Sequence, residues 1–217
     1  MFDTGSYLLE LFAKGGFLMY PILACSVLAL GIFLERLWTY TSLRRRGRKL
    51  SAEVQSLVAN ERIDEAKAVC ERSDFMLSHI FLAALNVAGA QRKHIKTLVE
   101  ETGAFKVAGL ERYLGLLGTI AAITPLMGLL GTVLGMIRAF TELAAQGVGT
   151  PETLGAGISE ALITTATGLS VAIPVMLLHK YLTSKADILA DEFEVSALHL
   201  VDKLAADSLT NQHQGQL

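Results

Sequence analysis

Residues 157–178 read GISEALITTATGLSVAIPVMLL, an apolar run with one acid, Glu160, near its start and Thr164, Thr165 and Thr167 within two turns of it. A carboxylate carried to the centre of a bilayer costs at least about 2.5 kcal/mol, so an acid in such a run is expected to face protein or water and to serve a function. At 100° per residue from Glu160, the residues Gly157, Ala161, Thr164, Thr165, Thr167, Gly168 and Ala172 share one arc, and Leu162, Ile163, Leu169, Ile173 and Leu177 fill the other. The run therefore predicts a membrane helix with a protein side of small and hydroxyl residues and a lipid side of bulky ones.

The same segregation occurs upstream, in the stretch 124–137, TPLMGLLGTVLGMI. Around Thr132, the residues Gly118, Ala121, Thr124, Pro125, Gly128, Gly131 and Gly135 take one side, and Ile123, Leu126, Leu130, Val133, Leu134 and Ile137 take the other. Pro125 and Pro174 are expected to bend the two helices and to free backbone carbonyls. The short connection between the helices makes them antiparallel. If Thr132 and Thr165 share a depth, Arg138 lies about 9 Å outward on one helix and Glu160 about 7.5 Å outward on the other, which makes Arg138 the charge partner within reach. The competing reading leaves Glu160 as an interfacial residue that snorkels to water.

The whole chain supports a membrane setting: 52% of its 217 residues are hydrophobic and only 18% charged, which is apolar for a soluble domain. Charge-free windows at 15–34, 113–137 and 161–179 each approach the roughly 20 residues that span the hydrocarbon core. The expected organisation is a single domain over residues 1–217. Its spans lie at about 16–38, 113–141 and 156–182, with a helical segment at about 39–112, a loop at about 142–155 and a tail at about 183–217. The first span reads as a retained anchor, because no small-x-small cleavage site follows it.

Thirteen of the 19 Lys and Arg lie between residues 39 and 112, beginning with Arg44, Arg45, Arg46, Arg48 and Lys49, whereas 142–155 has none. Positive residues stay in the cytoplasm, so the N-terminus is expected outside, the long segment and C-terminus inside. The basic run serves as a topology signal or an anionic-lipid contact and is preferred to a nucleic-acid site. Residues 7–12 suggest a short interfacial helix, followed at Gly15 and Gly16 by a turn into the bilayer. Helix starts are expected at Ser51 and Asn60. The spacing of Ile95, Leu98, Val99 and Phe105, with no proline between Pro21 and Pro125, predicts that the second membrane helix continues as one rod into the cytoplasm. Residues 184–204 keep helical spacing, and the last eight residues are expected to fray.

Other chemistry is poorly supported. GLLGTVLG lacks the Lys-Ser/Thr ending of a phosphate loop. Cys25 and Cys70 make no disulfide framework, and His79, His94, His179, His199 and His213 show no ligand spacing. No metal site and no cofactor are expected. Threonine, the main polar residue of the spans, cannot do acid–base chemistry near neutral pH, which disfavours an enzyme.

With three spans, a long insert after the first, and TPLMGLLGTVLGMI followed by GISEALITTATGLSVAIP, the chain resembles the MotA/TolQ/ExbB family of ion-driven stator subunits; Phe33-Leu34-Glu35-Arg36 also looks like the family pattern. Three spans make it more similar to the ExbB and TolQ branches than to MotA. The resemblance implies an all-α membrane protein with long cytoplasmic helical extensions, assembled as a homopentamer around a central pore in the bacterial inner membrane. It implies a single-span partner of the ExbD/TolR type whose membrane aspartate takes up the coupling ion, H⁺, and a TonB- or TolA-like protein that receives the work. It assigns Thr132 and Thr165 to the pore threonines and Glu160 to the acidic position of the ion pathway. The spans contain no aspartate, so a second chain supplying the titrating group is chemically reasonable. The functions left to separate are a TonB-linked transducer, a TolQ-like subunit of a Tol-Pal system, and a passive oligomeric scaffold.

Overall fold

A computed structural model describes residues 12, 14–73, 75–107, 109–146 and 151–214. Among the described residues six long helical elements follow one another: α1 Met19–Ala59, α2 Ile63–Arg72, α3 Met76–Asn86, α4 Arg92–Val107, α5 Leu114–Gln146 and α6 Pro151–Gln214. No strand occurs among the described residues. Helices α1, α5 and α6 are each long and apolar enough to cross a membrane, and the chain is a multi-pass membrane protein. By contact the chain divides into two compact units, Met1–Glu35 with Tyr113–Leu182, and Arg36–Arg112 with Thr183–Leu217.

In the first unit, α5 and α6 pack antiparallel through small residues. A Cβ on Gly168 would sit 2.9 Å from the Thr124 carbonyl oxygen, one on Gly128 3.1 Å from Thr165 Cα, and one on Gly135 2.9 Å from the Gly157 carbonyl oxygen. The contacts are backbone to backbone, an approach that only residues without a side chain permit. Both wheels match this packing. Ala121, Thr124, Gly128, Gly131, Gly135, Ala161, Thr164, Gly168 and Ala172 are buried, whereas Leu126, Leu130, Val133, Ile137, Leu162, Leu169, Ile173 and Leu177 are exposed. Pro125 and Pro174 lie inside continuous helices.

In the second unit the core is built from large side chains. Leu77, Phe81 and Leu85 of α3 and Ile95 of α4 are fully buried. On α6, Ala186, Leu189, Phe193, Ala197, Leu200 and Leu204 are buried at steps of three or four residues, so they line one face of the helix. Gly47 of α1 makes room for the Phe193 ring, which also meets Phe75 edge-on with centroids 5.6 Å apart. The Tyr40 hydroxyl donates to the Leu110 carbonyl at 2.6 Å. The Cys70 thiol, buried beside α3, is pushed up to about 11, chiefly by burial and then by the charges of Glu53 and Glu71.

Three local expectations change. Helix α1 runs through Ser51, because Leu50, Val54 and Val58 continue its buried stripe and the Gln55 amide bonds the Ser51 hydroxyl at 3.1 Å. Asn60 closes α1 instead of opening the next helix: its side-chain amide donates to the Ser56 carbonyl at 2.8 Å, and α2 begins three residues on. The single rod is also wrong. Helix α4 ends at Val107, a turn covers residues 109–113, and Tyr113 takes φ +66° before α5 begins. Absence of proline did not secure continuity; burial of Leu110 and the bond to its carbonyl hold the chain in a turn there. Of the terminal eight residues, 210–214 remain helical and the rest lie outside the described residues, as does most of the 7–12 segment.

Candidate functional site

The polar seam of the first unit converges on Glu160. Its position one turn before Thr164 on α6 brings it level with Arg138 of α5, whose Nη1 donates to Glu160 Oε1 at 2.7 Å. The antiparallel register explains the meeting, since Gly135 already packs on Ala161 and Gly157 on Ala139. The acid is mostly covered, its side chain 25% exposed, while the arginine is 55% exposed.

A third segment closes over the acid. Gly16 adopts φ +72°, a left-handed conformation that glycine takes without steric cost, and a Cβ there would run into the Glu160 carboxylate. Next to it, Thr164 Oγ1 lies 2.7 Å from the Gly15 carbonyl and 2.8 Å from its own-helix Glu160 carbonyl. A hydroxyl carries one proton. Thr164 therefore donates either across to the turn before α1 or back within α6. Arg138 and Glu160 line a polar cavity of about 380 Å³ with Lys14, Glu142 and Ser159. They also line a smaller one of about 120 Å³ with Phe17, Leu18 and Leu134.

The threonines divide into two kinds. Thr165 Oγ1 donates across the seam to the Gly128 carbonyl at 2.8 Å. Thr132 Oγ1 donates within its own helix, to Leu129 at 2.6 Å, and lines an open apolar groove of about 740 Å³ with Met136, Ile137, Phe140 and Thr141. Thr167 and Thr124 likewise bond one turn back, to Ile163 and Ile120. With each proton committed, the hydroxyl oxygens keep acceptor capacity along the seam. Gly128 meets Thr165 and Gly131 meets Thr164, so Thr132, four residues from Gly128, lies within about one turn of Thr165 in depth.

In the second unit the basic run is anchored from α6. Arg44 Nε donates to Glu192 Oε2 at 3.0 Å, its Nη2 also meets the carboxylate, and Arg48 approaches at 3.5 Å. The hydrogen bond from Arg44 holds the Glu192 carboxyl below its ordinary value and, reciprocally, raises the guanidinium.

Sequence reasoning read the Gly15–Gly16 pair only as a turn into the bilayer. Its contacts with Glu160 and Thr164 were missed, because nothing local signals a bond such as that between Thr164 and Gly15, 149 positions apart. The glycine pair that opens a charge-free window was the available clue.

The family model described as the MotA/TolQ/ExbB proton channel family matches residues 72–195. The chain is 36% identical over 181 residues to the putative biopolymer transport protein ExbB-like 1 of Synechocystis, covering 82% of this chain and 71% of that protein. It is 31% identical over 192 residues to the putative biopolymer transport protein ExbB homolog of Methanothermobacter thermautotrophicus, covering 86% and 67%. The Tol-Pal system protein TolQ of Pseudomonas aeruginosa is 38% identical over 92 residues, 39% of this chain and 40% of that one.

Proposed function

Because the chain belongs to the MotA/TolQ/ExbB proton channel family, on its ExbB/TolQ branch, and is a membrane stator subunit and not an enzyme, we propose that it transduces proton-motive force to power TonB-dependent transport across an outer membrane. In this reading five copies surround a central pore in the inner membrane, and a single-span ExbD/TolR-like partner supplies the titrating aspartate. Thr132 and Thr165 offer hydroxyl oxygens along the ion path. The N-terminus faces the periplasm and the C-terminus the cytoplasm, as the basic run and the Lys- and Arg-free segment 142–155 favour. Two relatives named as ExbB-like or ExbB-homologous biopolymer transport proteins align over more than four fifths of the chain, and a TolQ relative over less than half of it; the TonB-linked role is the first reading and a TolQ-like role in a Tol-Pal system the alternative.

The observation that carries the reading is the pinned acid. Packing alone gives no reason to place Glu160 in an apolar helix, hold it with Arg138 and lay a left-handed glycine over it. Glu160 is then a coupling acid that fixes the outer ends of α5 and α6, and the ion is shuttled by the partner's aspartate. Two variants test it in cells. Glu160→Ala, and the double change Thr132→Val with Thr165→Val, should abolish energised envelope work while the protein still inserts and assembles. Full activity of the double variant would remove the polar pathway, and activity that survives a protonophore would point to a passive scaffold.

A further inference from the structure

The basic run on α1 is split in two by the helix geometry. Taking Trp38 as origin, Arg45 and Lys49 fall within about 20° of it, while Arg44 and Arg48 lie about 120° and 80° round the helix, on the side facing Glu192. Arg44 and Arg48 are engaged there. Arg45, Arg46 and Lys49 are exposed, and none has a carboxylate partner among the described residues. The buried positions Tyr40, Gly47 and Leu50 occupy the opposite side of the helix. Trp38 is 74% exposed, one turn beyond the charge-free window 15–34.

We propose that Trp38, Arg45 and Lys49 form a binding site for an anionic phospholipid. Trp38 stands where an indole lies at the boundary between acyl chains and headgroups. Arg45 is about 10.5 Å further along the helix, and its side chain snorkels back by several ångströms to the phosphate level of a headgroup layer about 5–7 Å deep. Lys49, one turn on, adds charge where only the surface potential of anionic lipid reaches. A nucleic acid or an acidic protein would satisfy the two cations and leave the indole in water. A lipid satisfies all three groups together, because it carries apolar chain and phosphate on one molecule. Arg44 has a different role: with Glu192 it fastens α1 to α6, which holds the lipid-binding face outward.

Trp38 is the chain's one tryptophan, so its fluorescence reports this site alone. The full chain is reconstituted in vesicles containing a small fraction of lipid brominated near the headgroup, either phosphatidylglycerol or phosphatidylcholine. The expected result is quenching several-fold stronger by the brominated phosphatidylglycerol. Arg45→Gln with Lys49→Gln should equalise the two lipids, Arg45→Lys should keep a reduced difference, and Arg44→Gln should leave the preference in place. Equal quenching of the unaltered protein by both lipids overturns the site. So does a preference that survives the Arg45/Lys49 double change, or one that Arg44→Gln abolishes while the double change spares it.

Discussion

The contact between α5 and α6 in the first unit and the core of the second are built from opposite kinds of residue. Between α5 and α6 the contacts are Gly128 on Thr165, Gly135 on Ala161 and Gly168 on the Thr124 carbonyl; in the second unit the Phe193 ring meets Phe75, and large side chains such as Leu189, Leu200 and Val201 are buried. The solvent decides the difference. Among lipid tails a leucine gains nothing by leaving its surroundings, so close backbone approach and hydroxyl bonds hold helices together. In water each buried large apolar side chain contributes about 1.5–3 kcal/mol, and the core fills with them.

The comparison breaks most visibly at Phe81, fully buried in the second unit. Phe81→Ala should cost about 3–5 kcal/mol by opening a cavity, measured as loss of the cooperative unfolding of that unit with helix content in α5 unchanged. In the seam the sign of the size change reverses. Gly168→Ala should cost about 1–3 kcal/mol, because the added methyl meets the backbone of Thr124 and Gly128; an unfolding assay in detergent that finds the variant neutral would mean the helices are free to part. The smallest effect belongs to Glu192→Gln. Since the carboxyl lies below its ordinary 4.5 in the folded chain, its contribution is complete above that value and lost as pH falls through the lower folded one. A pH titration of stability should therefore show a shallow acid slope that this variant and high salt both remove.

The lipid-facing and protein-facing sides of α5 and α6 were legible in the sequence because size segregates around both helices. Every buried position from Ala161 to Ala172 belongs to the arc of small and hydroxyl residues. Local breaks were less legible. Ser51 looked like a helix start, yet the stripe Leu50, Val54, Val58 overrides it, and the turn at 109–113 depends on Leu110 and Tyr40, 70 residues apart. The site shows the same limit. Helix depth brought Arg138 within reach of Glu160, but the cover supplied by Gly15 and Gly16 exists only once a distant segment has folded back.

The proposed ion path is tested most directly by proton flux into vesicles that hold this chain together with the single-span, aspartate-bearing partner proposed for it. The account predicts that Thr132→Val with Thr165→Val stops the flux while the complex stays assembled, and that exchanging the charges, Glu160→Arg with Arg138→Glu, restores part of what either single change loses. Flux at the unaltered rate in the double threonine variant, with the complex intact, would contradict it.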